Sequence, residues 1–290
     1  STAAANANGA WTVGSYNFSA LMHEVGHSLG LKHPFEGNLT VSGIEDTTQY
    51  TLMSYNNYAH SLFQTVTSTS AGVSLSSRYI VPETPMINDI AAMQHLYGAN
   101  TSYHAGEDVY TFDPHTPFLK TIWDGAGHDT ISVANFVEAC TIDLNAGSFS
   151  KITILSDSTA GYHWNSTPLP ATYDGTDNLA IAYGCEIEAV IGGAGNDHLI
   201  GNELDNQFTG GAGDDLIDGA AGLDTAVYGA TLSHYQITHL NQTSMVKDLR
   251  DGSIDSLDHI ERLQFADKGW ALDLDAPNSA GGIYRLYQAA

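Results

Sequence analysis

Between Phe18 and Leu29 the apolar residues Phe18, Leu21, Met22, Val25 and Leu29 recur at the i, i+3, i+4, i+7 spacing of one helical face. Ser19 is placed to cap this helix, and Gly30 to stop it. A second helix is expected from Pro85 to about Tyr97, with Thr84 as cap, Pro85 in the first turn, and Ile87, Ile90, Ala91 and Met93 facing inward. The stretch between the two is polar and loop-like. From Tyr103 onward the helical period fades, and short β-type runs such as Thr130 to Val133 and Thr153 to Leu155 sit between Gly, Asn and Asp clusters. The change of period places a domain boundary near Gly98 to Ser102, giving residues 1–100 and 101–290.

A strict repeat follows in the second half. Gly192 to Ile200, Gly201 to Thr209, Gly210 to Asp218 and Gly219 to Val227 align as four consecutive nine-residue units, two of them close to the pattern GGxGxDxUx. After Val227 the sequence returns to irregular β-like character, and Lys247 to Leu274 reads as a closing cap on a repeat stack. The final "GGIYRLYQAA" looks like the opening of a helix.

The chain has 290 residues, enough for two domains of ordinary size. With 42% apolar and 14% charged residues it reads as folded despite its 29 glycines. The 33 acidic residues against 9 basic ones leave a formal net charge of −24, which repels nucleic acid and anionic membrane surfaces and makes cations the expected partners. Cys140 and Cys185 are too few for a disulfide framework and too far apart in sequence for a thiolate metal site, so one disulfide or two free thiols stay open. No apolar run approaches the roughly 18 residues of a membrane span. Ser1 to Ala10 has neither the basic nor the apolar region of a secretory signal, so export would use another signal, or one absent from this sequence.

The chemistry of the first half lies in His23-Glu24-Val25-Gly26-His27-Ser28-Leu29-Gly30-Leu31-Lys32-His33, which matches HExxHxxGxxH at every fixed position. On a helix, residues i and i+4 share a face, so His23 and His27 can direct imidazole nitrogens at one zinc ion, with Glu24 beside it. Gly30 can take the left-handed conformation that ends the helix and lets His33 supply a third ligand. Three nitrogen ligands leave zinc an open position for water. Glu24 is then the expected acceptor of that water's proton, in peptide-bond hydrolysis without a covalent enzyme intermediate.

This extended motif, with "LMSY" about twenty residues later, resembles the metzincins and specifically the serralysins of peptidase family M10. The resemblance implies that Met53 forms a methionine turn under the zinc. It also implies that Tyr55 is a further, switchable zinc ligand able to hydrogen-bond the oxyanion. "INDIAAMQHLYGAN" (Ile87 to Asn100) is similar to the helix that follows in that family. The implied fold class is α+β for the zinc-helix part of a metzincin catalytic domain, followed by an all-β parallel β-roll with a β-rich C-terminal cap.

In the nine-residue units, glycines permit tight turns between short strands, and the sixth-position aspartate supplies a hard carboxylate oxygen beside main-chain carbonyls, a donor set for calcium. The pattern resembles the RTX repeats of secreted bacterial proteins. The resemblance places calcium ligands at Gly193, Gly195 and Asp197, then Asn202, Leu204 and Asn206, then Gly211, Gly213 and Asp215. It places Glu186 and Glu188 at the entry to the roll, and Asp124, Ala126, Gly127 and Asp129 in "WDGAGHD", with Gly106 and Asp108 completing that loop. Asn202 and Asn206 replace Gly and Asp in the second unit and Ala220 replaces Gly in the fourth, so fewer sites than repeats are expected to fill.

Taken together, these features predict a secreted bacterial zinc endopeptidase acting on proteins or peptides, exported without a cleavable N-terminal signal. One catalytic Zn2+ and several structural Ca2+ ions are expected. The alternative is a calcium-dependent extracellular attachment module with a vestigial protease portion. Only about twenty residues precede the zinc helix, whereas serralysins carry a twisted sheet and a long helix there. A fragment, a processed form and a compact variant are all open, and an upstream segment of the same precursor is an expected partner.

Overall fold

The computed structural model describes residues 11–38, 40–41, 43–70, 72–240 and 243–272, so the opening Ser1 to Ala10 and the closing "GGIYRLYQAA" lie outside the described residues. Two compact units share the chain. One holds the residues up to Tyr103 with Asp113–Gly125 and Phe149–Cys185; the other holds His104–Phe112, Ala126–Ser148 and the residues from Glu186 on. The chain therefore passes from unit to unit several times, where the sequence suggests a single boundary.

In the first unit, helix α1 spans Tyr16–Ser28. Its cap is Ser15, not Ser19: Ser15 is extended (φ −87°, ψ 152°) and its hydroxyl accepts from the Phe18 amide at 3.2 Å, whereas Ser19 already lies in the first turn. Gly30, at φ +96°, ends the helix and lets the Leu31 amide turn back to the Gly26 carbonyl at 3.0 Å. The apolar face is largely uncovered. Leu21, Val25 and Leu29 are 45%, 47% and 39% exposed, and the buried residue of the helix is Gly26.

The hairpin β1 (Leu62–Thr69) and β2 (Gly72–Tyr79) pairs from Leu62↔Tyr79 to Thr69↔Gly72, and only its root, Leu62 to Gln64, is buried. Helix α2 spans Ile87–Tyr97, starting two residues later than its apolar pattern suggests. Thr84 does not cap it, because its hydroxyl instead exchanges hydrogen bonds with the main chain of Thr121. The Asp89 carboxylate takes the Met86 amide at 2.9 Å in that role.

A small sheet pairs Lys120–Ile122 in parallel with Leu179–Ile181, which pairs antiparallel with Phe149–Ser150. Thr153 to Leu155, expected as β, forms no strand. Just before it, the main chain of Ile152 is occupied by the Asn178 side-chain amide, at 3.0 Å for its N–H and 2.9 Å for its C=O.

The second unit is a parallel roll. Ala189–Ile191, Gln207–Thr209 and Thr225–Val227 pair side by side in one sheet, and His198–Ile200 pairs with Leu216–Asp218 in another. Each nine-residue unit contributes one three-residue strand, and successive units alternate between the sheets. Val109–Thr111, Thr130–Ser132 and Thr141–Asp143 extend the sheets on one side, and Arg262–Gln264 and Ile254–Asp258 on the other, all still parallel.

In every three-residue parallel strand of the roll but Val109–Thr111, whose Tyr110 is half-buried, the middle residue is buried. Ile131, Val190, Phe208, Ala226 and Leu263 in one sheet, and Ile142, Leu199, Ile217 and Leu257 in the other, are at most 1% exposed. The x-U-x rhythm of the repeat is thus the core of the roll. Between strands the chain must reverse in minimal space: Gly211 sits at φ +104°, and a Cβ there would lie 2.0 Å from the Gly193 carbonyl oxygen. Antiparallel strands Tyr235–Leu240, Thr243–Asp248 and Gly269–Ala271 then occupy the edges and end the repeat.

Candidate metal centres

His23 and His27 project from one face of α1, and His33 reaches them from beyond the Gly30 turn. His33 Nε2 lies 3.1 Å from His27 Nε2 and 3.3 Å from His23 Nε2, and Tyr55 Oη lies 2.7 Å from His33 Nε2. The opposite nitrogens of His23 and His27 each face a main-chain acceptor. His23 Nδ1 meets the Leu52 carbonyl at 2.8 Å, and His27 Nδ1 meets the Leu31 carbonyl at 3.0 Å. His33 Nδ1 lies 2.8 Å from Glu36 Oε1, a charge contact out of line with the ring N–H. His33 beside it holds the Glu36 carboxyl below the usual carboxylate range.

Acceptors at Nδ1 of His23 and His27 place the ring proton there and leave their Nε2 lone pairs pointing toward His33 Nε2. Such lone pairs repel unless a cation stands among them. Tetrahedral zinc with Zn–N of about 2.0–2.1 Å separates its nitrogen ligands by about 3.3 Å, so the three rings fit that ion. Glu24, next to His23 on the helix, is exposed, as is Tyr55 at 67%.

Met53 is 2% exposed and lies under the helix, where a Cβ on Gly26 would come within 2.8 Å of its sulfur. The segment carrying Met53 is held by Asp89, a residue no motif marks. Asp89 accepts from Thr51 Oγ1 at 2.6 Å and from the Leu52 amide at 2.7 Å, and Thr51 Oγ1 in turn accepts from the Met53 amide at 3.0 Å. Burial pushes the Asp89 carboxyl up, against the three hydrogen bonds that pull it down. A cavity of about 330 Å3 lies beside this segment, lined by His33, Pro34, Met53, Asn88 and Asp89 among others.

In the roll, carboxylates stack in two columns, each lending one oxygen to a main-chain amide of the adjacent turn. In one column Asp197 accepts from Cys140 at 2.7 Å, Asp215 from Asp197 at 2.8 Å, and Asp255 from Asp215 at 3.1 Å. In the other Asp129 accepts from Asp108, Glu188 from Asp129, Asp224 from Asn206 and Glu261 from Asp224, all at 2.8 Å. Asp215 Oδ2 and Asp224 Oδ2 are buried without a hydrogen-bond partner. Burial, with neighbouring carboxylates, pushes Asp215 and Asp224 up to about 7 and Asp255 to about 6. Buried, unsatisfied carboxylate oxygens suit a hard, oxygen-seeking cation such as calcium.

Asp224, Asp255 and Glu261 join these columns although they were not expected. Asp224 holds the sixth position of the fourth unit, so the repeat itself marks it; Asp255 and Glu261 lie in the closing segment, outside any motif. Ala220 takes the left-handed conformation a glycine would (φ +65°), so the fourth turn keeps its shape. In the second unit the side chains of Asn202 and Asn206 hydrogen-bond each other at 3.1 Å.

Gly193, Gly195, Gly211, Gly213 and Leu204 lie on the turns between strands, and Glu186 on the chain just before the first of them. Gly127 approaches the Gly106 carbonyl so closely that a Cβ would sit 1.8 Å from it, and Ala126 precedes it on the same turn. Asp124 is buried in the first unit. Cys140 and Cys185 are both buried, and neither is in a disulfide.

Residues 191–226 match the RTX calcium-binding nonapeptide repeat in four copies, and residues 88–160 match the peptidase M10 serralysin C-terminal region. Neither match includes His23 to Tyr55. The chain is 33% identical over 215 residues to serralysin of Proteus mirabilis, covering 67% of this chain and 37% of that protein. It is 36% identical over 212 residues to metallopeptidase AprA of Pseudomonas marginalis, covering 66% and 39%. With serralysin C of Dickeya chrysanthemi the figures are 35% over 205 residues, 64% and 36%. The chain thus spans little more than a third of the length of these relatives. Its nonapeptides indicate calcium binding, and by the two matched regions and these relatives the chain belongs to the serralysin family of M10 peptidases.

Proposed function

We propose that this chain is a zinc endopeptidase, with His23, His27 and His33 holding the metal within residues 1–100 and a calcium-filled roll in residues 101–290. The observation that carries the reading is the convergence of three Nε2 atoms, with the Nδ1 atoms of His23 and His27 each held by a main-chain carbonyl. Zinc, when bound, supplies a Lewis acid and lowers the pKa of its water toward 7. Glu24 accepts a proton from the attacking water and returns it to the leaving amine. The Tyr55 hydroxyl donates a hydrogen bond to the scissile carbonyl oxygen as charge develops on it. The cited residues of the roll bind calcium through Asp129, Glu188, Asp197, Asp215 and Asp224, with the Asn202–Asn206 turn the weakest.

Proteins or peptides are the proposed substrates, and export the proposed destination, since a roll that folds only around calcium is suited to calcium-rich surroundings outside the cell. Among the described residues no helix is long and apolar enough to cross a membrane. The test is metal analysis of the purified chain with casein hydrolysis before and after chelation. One zinc per chain, lost together with hydrolysis, is expected; a zinc-replete chain with an empty histidine cluster would overturn the reading.

A second reading, a calcium-dependent attachment module with an idle protease portion, draws on the exposed apolar residues Leu21, Val25 and Leu29 of α1. That face suits a partner, for which an upstream segment of the same precursor is the proposed occupant. Full zinc with no hydrolysis of any peptide would favour this reading.

A further inference from the structure

We infer that Asp89 is a positioning residue for the metal centre, setting the tautomer and orientation of His23 through the 51–53 peptide; the inference deepens the zinc reading above and rests on it for its functional meaning. The Asp89 carboxylate is 2% exposed and gathers donors from two separate elements. From its own helix it takes the Met86 amide at 2.9 Å; from the methionine segment it takes Thr51 Oγ1 at 2.6 Å and the Leu52 amide at 2.7 Å. Thr51 Oγ1 passes the connection on to the Met53 amide at 3.0 Å, and the Tyr50 carbonyl accepts from the Asn88 amide at 3.0 Å.

The segment from Tyr50 to Met53 is thereby fixed to the start of α2 at three points. The Leu52 carbonyl shares its peptide unit with the Met53 N–H, which Thr51 Oγ1 holds under Asp89, and it meets His23 Nδ1 at 2.8 Å. A peptide unit is planar, so holding its N–H fixes the direction of its C=O. That carbonyl determines which nitrogen of His23 carries the proton, and so whether Nε2 offers a lone pair toward His27 and His33. Neither Thr51 nor Leu52 can do this alone, because without the carboxylate both buried donors lose their acceptor. Asp89 touches neither the histidines nor any substrate, and its effect passes through Thr51 Oγ1 and the peptide unit between Leu52 and Met53.

The test compares the full chain with Asp89→Ala, Asp89→Asn and Thr51→Val, using two readouts. In the metal-free chain, 1H–15N correlation of the imidazoles reports the tautomer of each histidine. Wild type should hold His23 as the Nδ1–H form, Asp89→Ala should mix its tautomers while leaving His27 and His33 unchanged, and Asp89→Asn, which keeps an acceptor oxygen, should restore most of the wild-type signal. Zinc affinity, from competition with a chelator, should fall roughly 10–100-fold in Asp89→Ala, the usual effect of losing a residue that orients a metal ligand. The loss should vanish when His23→Ala is already present.

Thr51→Val, close to the same shape, covers the case in which Asp89→Ala does not fold and should shift His23 in the same direction, because it removes the acceptor of the Met53 amide. A lowered Tm with an unchanged His23 tautomer and unchanged zinc affinity would overturn the inference, as would an equal disturbance of all three histidines. Because the tautomer is read without metal, a wild-type chain that binds no zinc would sink the zinc reading while the role of Asp89 in setting His23 was still decided.

Discussion

At residue 23 an imidazole nitrogen meets a carbonyl 29 residues away, whereas at residue 33 the Glu36 carboxylate three residues on lies out of line with the ring nitrogen. The three histidines and Glu24 are legible in the sequence because their spacing is local, four residues on a helix and six across a glycine turn, whereas Met53, 20 residues beyond His33, is implied by the family resemblance alone. Asp89 is not legible, because nothing at position 89 distinguishes a helix-start aspartate that also clamps a distant segment from one that only caps. Replacing Glu24 by Gln keeps size and leaves every Nδ1 contact intact. Zinc content should be unchanged while hydrolysis falls about 10²–10⁴-fold, the range for losing a general base. Wild-type turnover in a zinc-filled Glu24→Gln chain would show that another group takes the proton.

Among elements, the two helices and the three-residue strands answer to different physics. α1 and α2 were foreseen to within three residues at their starts, and the errors lie in the caps, where Ser15 and Asp89 act in place of Ser19 and Thr84. Caps depend on which side chain finds a free amide, and a serine four residues early or a threonine drawn off by another strand changes the answer. The apolar face of α1 is present as the periodicity suggests, but Leu21, Val25 and Leu29 on it are exposed, since periodicity shows that a face is apolar but not that anything covers it.

In the roll the repeat dictates each strand, so substitutions there have foreseeable costs. Phe208→Ala, at 0% exposure in the middle of its triplet, should destabilise the chain by about 3–5 kcal/mol through the cavity it leaves, measured as a shift in chemical denaturation in saturating calcium. Gly211→Ala meets both a left-handed φ and the Gly193 carbonyl, so it should lower stability by more than the ~1 kcal/mol of conformational strain alone, and a neutral result would mean the turn can relax.

Over the whole chain a net charge of −24 is concentrated in part into buried columns, and this makes stability depend on pH and calcium together. Asp215, Asp224 and Asp255 have folded pKa values raised to about 7, 7 and 6 from an ordinary 3.8. A raised carboxylate binds more protons folded than unfolded, so stability without metal is highest near pH 4 and falls as pH rises toward 7. Calcium replaces those protons, so its stabilising effect should be greatest at pH 7 and above and should shrink toward pH 4. Thermal unfolding followed by circular dichroism, with calcium and with chelator across that range, checks the sign; a chelated chain that grows more stable between pH 4 and 7 would contradict it. At pH 7.5 chelation should also remove most of the β signal, while wild-type β structure without calcium would mean the columns tolerate their own charge.

The amino-acid sequence by itself determined the spacing of the zinc motif, the nine-residue register of the roll and the inward apolar residue of each turn. Each of these is a local periodicity, and local geometry carries it without help from distant residues. Only the tertiary structure decided which groups complete those patterns: Asp89 behind the methionine, Leu52 behind His23, and Asp255 and Glu261 at the ends of the carboxylate columns. These partners lie tens of residues from what they support, and a buried donor or carboxylate takes whichever partner packing brings within 3 Å, a choice that no run of neighbouring residues encodes.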